Sequence, residues 1–226
     1  MAGIALSCVS MAWARIAVLL YAAAGGKTVL DYDVEMKGEK AGTSQAVIID
    51  TAAGRRLEIR TEVKTTYMGV AFEMRSTTII DYDLDRTALS FDIDNTKPTG
   101  DIRVTGQRSS SGWDIVRIQG KKTKKVHIEH GSYDRVSIEP GLYGGEVGSK
   151  IKARVLLAGQ GKVVKATISI LGRETRKVLG RDQSVTHFRI KTSAGTIEEW
   201  RLEDGVILKS KVKTPVGDIL IALREP

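Results

Sequence analysis

Apolar and polar residues alternate along most of this chain, with a period of two. In the first such stretch, Leu30, Tyr32 and Val34 alternate with Asp31 and Asp33. The same period returns in Leu57–Val63, Met68–Met74, Leu89–Ile93, Ile151–Leu157, Val164–Ile170, Phe188–Ile190, Trp200–Leu202 and Val206–Val212. Because consecutive side chains of a strand point to opposite faces, each stretch predicts a strand with one apolar face and one wet face.

Short glycine-containing turns separate these stretches at a spacing of roughly ten residues, which is typical of antiparallel hairpins. Asp204-Gly205 is the clearest of them, because that pair tolerates the positive φ of a tight turn. We therefore predict an all-β fold, a curled antiparallel meander or half-barrel. It should contain at most one short helix, around residues 133–142.

The first residues form an apolar leader. Arg15 interrupts it, and an arginine near the centre of a spanning helix is costly. A positive residue, an apolar stretch and the small residues Ala22-Ala23-Ala24 are typical of a secretory signal. We predict a signal peptide at 1–24, with Met1 or Met11 as the start, and a periplasmic location. A single anchoring helix is the alternative.

Residues 25–226 are then expected to form one antiparallel β domain. The glycine-rich stretch 131–148 is the longest connection and would be the place for any subdivision. The only cysteine, Cys8, lies in the leader, so disulfides and thiolate chemistry are excluded from the remaining chain.

The formal net charge of +8 raises the question of anionic partners. The densest basic patch is Lys121, Lys122, Lys124 and Lys125, and Lys209, Lys211 and Lys213 form a second stripe. No aromatic residue interrupts either run, although base stacking would require aromatics. We therefore expect no nucleic-acid binding. The remaining explanations for these lysines are solvated strand faces and peripheral contact with an anionic membrane.

Motifs that could carry chemistry are incomplete. Asp81-x-Asp83-x-Asp85 with Asp92 has the spacing of a calcium loop, but Arg86 occupies the position of the turn glycine. The three histidines, His127, His130 and His187, are not spaced for a shared metal. We predict no catalytic residue, metal or cofactor, and no enzymatic activity. A hydrolase would need a buried acid near Trp200.

A ligand pocket is the remaining candidate site. Adaptable Met and Phe side chains suit irregular apolar ligands, although they also suit an ordinary core. On the basis of shared strand faces, we hypothesise that Met68, Phe72, Met74 and Trp200 line such a pocket.

Several short motifs resemble a known family. Tyr32-Asp33-Val34 followed by Gly38-Glu39-Lys40-Ala41-Gly42 resembles the opening hairpin of the bacterial periplasmic family "domain of unknown function 3108". The later stretches 133–137, 162–175 and 198–202 follow in that family's order. The resemblance implies a curled sheet like that of lipoprotein carriers and implies no catalytic residues.

Two functions are consistent with these observations. The first is an exported, non-enzymatic cell-envelope protein that binds an apolar or amphipathic ligand, a lipid or lipoprotein-like molecule, in a half-barrel. The alternative is a structural or protein-interaction module with a filled core and no ligand pocket. The sequence does not indicate an oligomeric state.

Overall fold

The computed structural model describes residues 26–67, 70–139, 145–178, 180–193, 195–203, 205–214 and 217–224. Its strands form one sheet of 15, in the order β8-β7-β6-β5-β4-β3-β2-β1-β15-β14-β13-β12-β11-β10-β9. The strands are β1 Lys27–Met36, β2 Glu39–Thr51, β3 Gly54–Tyr67, β4 Val70–Tyr82, β5 Ala88–Thr96, β6 Ile102–Arg108, β7 Gly112–Gln119, β8 Lys122–Glu129, β9 Arg135–Val136, β10 Lys150–Leu157, β11 Lys162–Val178, β12 Arg181–Thr192, β13 Gly195–Leu202, β14 Ile207–Thr214 and β15 Gly217–Leu223. The predicted all-β, antiparallel fold is confirmed.

The first and last strands meet in the middle of this sheet. β1 pairs antiparallel with β15, from Tyr32 opposite Leu223 to Met36 opposite Ile219. Every other pairing joins neighbours along the chain, and only the two-residue β9 runs parallel to its partner β10. Two meanders, β1–β8 and β9–β15, are thereby joined into one continuous sheet.

The sheet is curled so strongly that its two edges lie close together. The edges are β8, which ends at Glu129, and β9, which begins at Arg135. Six residue steps of extended chain reach at most about 21 Å. The connection therefore holds the edges within that distance, although a flat sheet of this size would separate them much further.

Directly paired residues define an inner face that carries the core. Its largest fully buried side chains include Tyr32, Leu57, Ile80, Trp113 and Phe188. The opposite, outer face carries the charged residues of the same strands. This alternation follows from the period-two pattern of the sequence, because one register step changes the face.

Two pieces of the chain cover the inner face of β4–β7. We call them the closing segments: residues 135–139 and the 3₁₀ turn Ala158–Gln160. Val136 and Ile138 from the first, with Ala158 from the second, are buried in the same apolar cluster as the inner face of β1–β7.

Specific contacts fix these segments in place. The Tyr82 hydroxyl donates a hydrogen bond of 2.7 Å to the carbonyl of Ile138. Arg108 on β6 binds Glu139 at 3.1 Å. Gly161, which follows the 3₁₀ turn, lies so close to Ile115 that a Cβ there would approach that side chain to 3.3 Å.

The helix predicted around residues 133–142 is wrong for the described part of that range. Asp134 binds Arg154 instead, and Arg135–Val136 pair with β10. The backbone N–H groups of Asp134 and Ser137 donate to carbonyls of β10 instead of to a helical turn. The short helical element of the described chain is Ala158–Gln160.

The predicted signal peptide lies outside the described residues. No helix in the described ranges is long and apolar enough to span a membrane. The subdivision near 131–148 stays a prediction.

Candidate functional site

Of the four predicted ligand-binding residues, the three in the described ranges do not all lie on one strand face. Phe72 and Met74 lie two apart on β4 and share the inner face, where Met74 is 2% exposed and Phe72 packs against the core. Trp200 lies on the outer face of β13 and is half-buried. Met68 lies outside the described residues.

The registers establish that Trp200 is on the other side of the sheet. Following directly paired residues from Trp200 through β14, β15, β1 and β2 leads to Glu62 and Arg75, on the outer face. Following them from Met74 leads instead to Ser210 and Glu199. Trp200 therefore does not share a strand face with Phe72 and Met74, although Phe72 and Trp200 both pack against the apolar cluster that contains Met74.

Trp200 is enclosed by its lateral neighbours. From β12, the His187 ring stacks on the indole with 4.0 Å between centroids. From β14, the Lys209 ammonium lies 5.2 Å from the ring centroid. Burial lowers the pKa of His187, and Glu198 at 3.4 Å opposes this only in part.

The inner face carries polar groups that the sequence analysis did not predict. A transverse row of Tyr32, Ser44, Thr61, Ser76 and Asn95 crosses β1–β5 in register, and every member is at most 5% exposed. The Ser44 and Thr61 hydroxyls are 2.7 Å apart. Small hydroxyl residues fit the strand alternation as well as apolar ones, so sequence pattern gives little signal for this row.

A buried ion pair lies further along the same face. On β13, Arg201 donates two hydrogen bonds to Glu199, of 2.9 and 2.5 Å. The Glu199 side chain is fully buried and that of Arg201 is 4% exposed. Burial strongly raises the pKa of the Tyr82 phenol, and the positive charge of Arg201 acts in the opposite direction. Residues from both meanders therefore meet in one interior.

The predicted basic patch is exposed but is divided between two faces. On β8, Lys124 pairs with Arg117 and Lys122 with Gln119, whereas Lys125 pairs with Val116 on the opposite face. Lys121 lies in the preceding turn. These lysines lie on an edge strand of the sheet, where charge blocks pairing with other chains.

The aspartates and histidines have separate structural partners. Asp83 accepts a hydrogen bond of 2.8 Å from the Thr87 backbone, and Asp81 accepts one of 2.8 Å from the Ser90 hydroxyl. His127 contacts Asp114, whereas His130 contacts Tyr133. Within the described ranges, no three His, Cys, Asp or Glu side chains are grouped so that they could hold a metal ion.

Fold and site together define an all-β, β-barrel-like protein. The chain belongs to the family called Domain of unknown function (DUF6134), whose profile matches residues 32–224. The resemblance to domain of unknown function 3108 is not confirmed, although an unknown-function, barrel-like domain fits. The last glycine of the hairpin motif that carries the resemblance is required by the structure, because a Cβ at Gly42 would lie 1.9 Å from the Glu62 carbonyl oxygen.

Among solved structures, the chain is similar to a β-barrel-like protein of domain of unknown function DUF1849 from Brucella abortus. The TM-score is 0.58 at 10% identity, and the match covers 90% of this chain and 98% of that one. A DUF1089 family protein from Pseudomonas aeruginosa has a TM-score of 0.41 at 13% identity, covering 87% and 96%. No curated protein matches the chain. At 10% identity, the likeness to the Brucella abortus protein shows the fold alone.

Proposed function

We propose that this protein is an exported, non-enzymatic interaction module of the cell envelope, whose partners bind to the outside of the curled sheet. One observation carries the proposal: the chain's own closing segments cover the inner face of β4–β7. The Tyr82–Ile138 hydrogen bond and the Arg108–Glu139 ion pair hold residues 135–139 where a ligand of a half-barrel would lie.

The ligand-carrier function has less support. Its candidate residue Met74 is part of the core, and Trp200 faces the other way. An amphipathic ligand would have to displace the first closing segment, with burial of Val136 and Ile138 lost. Burying apolar area contributes roughly 25 cal/mol per Å², so the ligand would first have to compensate for that loss.

Export and the absence of catalysis rest on the sequence. The leader has the order of charge, apolar stretch and small residues that signal peptidases recognise. Two acids flank Trp200: the half-buried Glu198 is bound by Arg189 at 2.9 Å, and the fully buried Glu199 on the other strand face is bound by Arg201 at 2.5 Å.

A dye experiment tests whether the interior is filled. We expect 1-anilinonaphthalene-8-sulfonate to show no fluorescence increase with the chain that begins at Gly25. Ile138→Asp is the positive control, because a charge at a fully buried position should expel the closing segment. A strong increase with the unchanged protein would overturn the proposal. Circular dichroism should confirm that the variant keeps its sheet.

A further inference from the structure

The outer face of strands β10–β14 is strongly basic. We call it the basic face, and it consists of Lys150, Lys152, Arg154, Lys165, Arg189, Lys191, Lys209, Lys211 and Lys213. All are exposed except Lys209 and Lys211, which are half-buried. The cations come from four strands, so most of them do not form a run in the sequence.

Registers place these cations on one surface. Arg154 pairs with Lys165, and the row Thr167, Lys191, Thr196, Lys213 runs across the next strands. With strands about 4.8 Å apart, five neighbours form a surface about 19 Å wide. In these rows, threonine residues lie between the cations.

Most of this charge is not neutralised within the protein. Three carboxylates form ion pairs with cations of this face: Asp134 binds Arg154, Glu198 binds Arg189, and Asp218 binds Lys211. For the six remaining lysines of the face, no carboxylate of the described residues lies within 4 Å of the ammonium group. These are Lys150, Lys152, Lys165, Lys191, Lys209 and Lys213.

The outer face of the other meander has a different charge pattern. There, carboxylates occur on neighbouring strands and bind the arginines beside them. Arg103 binds Asp92 of β5 at 2.5 Å, and Arg75 lies 3.8 Å from Glu62 of β3. Among the outer strand faces, the unneutralised positive charge is therefore concentrated on β10–β14, apart from the lysines at the β8 edge. Such asymmetry orients a protein toward an anionic surface.

The surroundings of Trp200 favour phosphate groups over nucleic-acid bases. Single-stranded nucleic acid is bound by stacking its bases on open aromatic rings. Here His187 from β12 and Lys209 from β14 already occupy the two sides of the indole. A partner of this face would therefore contact ammonium groups, which suits lipid headgroups.

We propose that the basic face docks onto an anionic phospholipid bilayer. The proposal rests on the proposed function, in which the outside of the sheet is the binding surface. The lysines would contact headgroup phosphates, and the carboxylate-rich face of the other meander would point away. Attraction of this kind is additive over lysines near the surface and is screened by salt.

Vesicle co-sedimentation tests this proposal with the chain that begins at Gly25, which holds every described strand. The probe vesicles contain phosphatidylcholine alone or phosphatidylcholine with phosphatidylglycerol. We expect binding only to the anionic vesicles, and loss of binding at high salt. Binding to neither vesicle, or equally to both, would overturn the proposal.

A matched pair of variants locates the surface. The first changes Lys150, Lys152, Lys165 and Lys191 to Glu, and the control changes Lys121, Lys122, Lys124 and Lys125 to Glu. Both alter the net charge equally. We expect the first to weaken vesicle affinity by more than about tenfold, while the control loses far less. Equal losses would show that net charge, not this face, is responsible.

Two further results separate the competing explanations. If single-stranded DNA binds the unchanged protein more tightly than anionic vesicles do, the face is a nucleic-acid surface and the membrane proposal is wrong. If the vesicle result is negative while the dye experiment shows a filled interior, only the membrane partner fails. The proposed function would then stand with a different partner.

Discussion

At the scale of single residues, the buried Glu199–Arg201 pair is the most consequential feature of the interior. Both side chains are almost inaccessible, and Arg201 directs two donors at one carboxylate oxygen. Removing one partner of a buried pair leaves an uncompensated charge, whereas replacing both by apolar residues removes the desolvation penalty as well.

We therefore predict that Arg201→Met lowers the free energy of unfolding by about 3–5 kcal/mol. The double variant Glu199→Leu/Arg201→Met should be clearly more stable than this single variant. Urea unfolding followed by circular dichroism measures both. If the double variant is as unstable as the single one, packing and not charge explains the pair.

His187 makes a second prediction, on pH. Burial lowers its pKa below the ordinary value near 6.5, so the unfolded chain binds the proton more readily than the folded one. The stabilisation that neutral His187 provides is complete above pH 6.5 and is lost as the pH falls below it.

His187→Phe keeps a ring beside Trp200 and removes the titration. We predict that the difference in urea midpoint between the unchanged protein and this variant shrinks or reverses from pH 7.5 to pH 5. Measurements in the same buffers isolate the effect. A difference that does not change with pH would mean that His187 keeps its ordinary pKa.

At the scale of elements, strands could be predicted from sequence and their spatial relations could not. The alternation at Leu30–Met36 gives both the strand β1 and its buried face. Trp200 has the same local pattern, yet its face relative to Phe72 depends on registers across several strands, and β13 contains a bulge at Trp200/Arg201. No local pattern encodes those relations.

The closing segment 135–139 is another element that sequence did not predict. Its glycine-rich neighbourhood suggested a connection, but its role depends on Tyr82, 56 residues from Ile138. We predict that Tyr82→Phe lowers the free energy of unfolding by about 1–3 kcal/mol, since the buried Ile138 carbonyl loses its donor.

Tyr133→Phe is the matched control for this prediction. Its ring is half-buried, but its hydroxyl contacts the exposed His130 at 2.8 Å and not a buried carbonyl, so water can replace the lost partner. Chemical denaturation should therefore show a much smaller effect. Equal effects of the two changes would contradict the assigned role of Tyr82 in holding the segment.

At the scale of the whole molecule, β1–β15 pairing joins both meanders into one sheet, which predicts a single unfolding transition. Tryptophan reports on each half: Trp113 lies on β7 and Trp200 on β13. In the chain from Gly25, Trp113→Phe and Trp200→Phe each leave one probe. Within each variant, fluorescence and circular dichroism should give the same midpoint. Different midpoints would support the subdivision near 131–148.

The distribution of charge also belongs to this scale, and it explains why sequence reasoning selected another patch. Lys121–Lys125 is visible as a run, yet its lysines point to both sides of an edge strand. The basic face draws on residues from Lys150 to Lys213 and is formed only when five strands align. Net charge could be predicted from composition, but its location could not.

The central claim is that the chain fills its own interior and binds partners outside it. Native mass spectrometry of the gently purified chain that begins at Gly25 tests this most directly. We predict the mass of the chain from Gly25 without any bound small molecule. A discrete additional mass in the lipid range, retained by the folded protein, would contradict the claim and favour a ligand carrier.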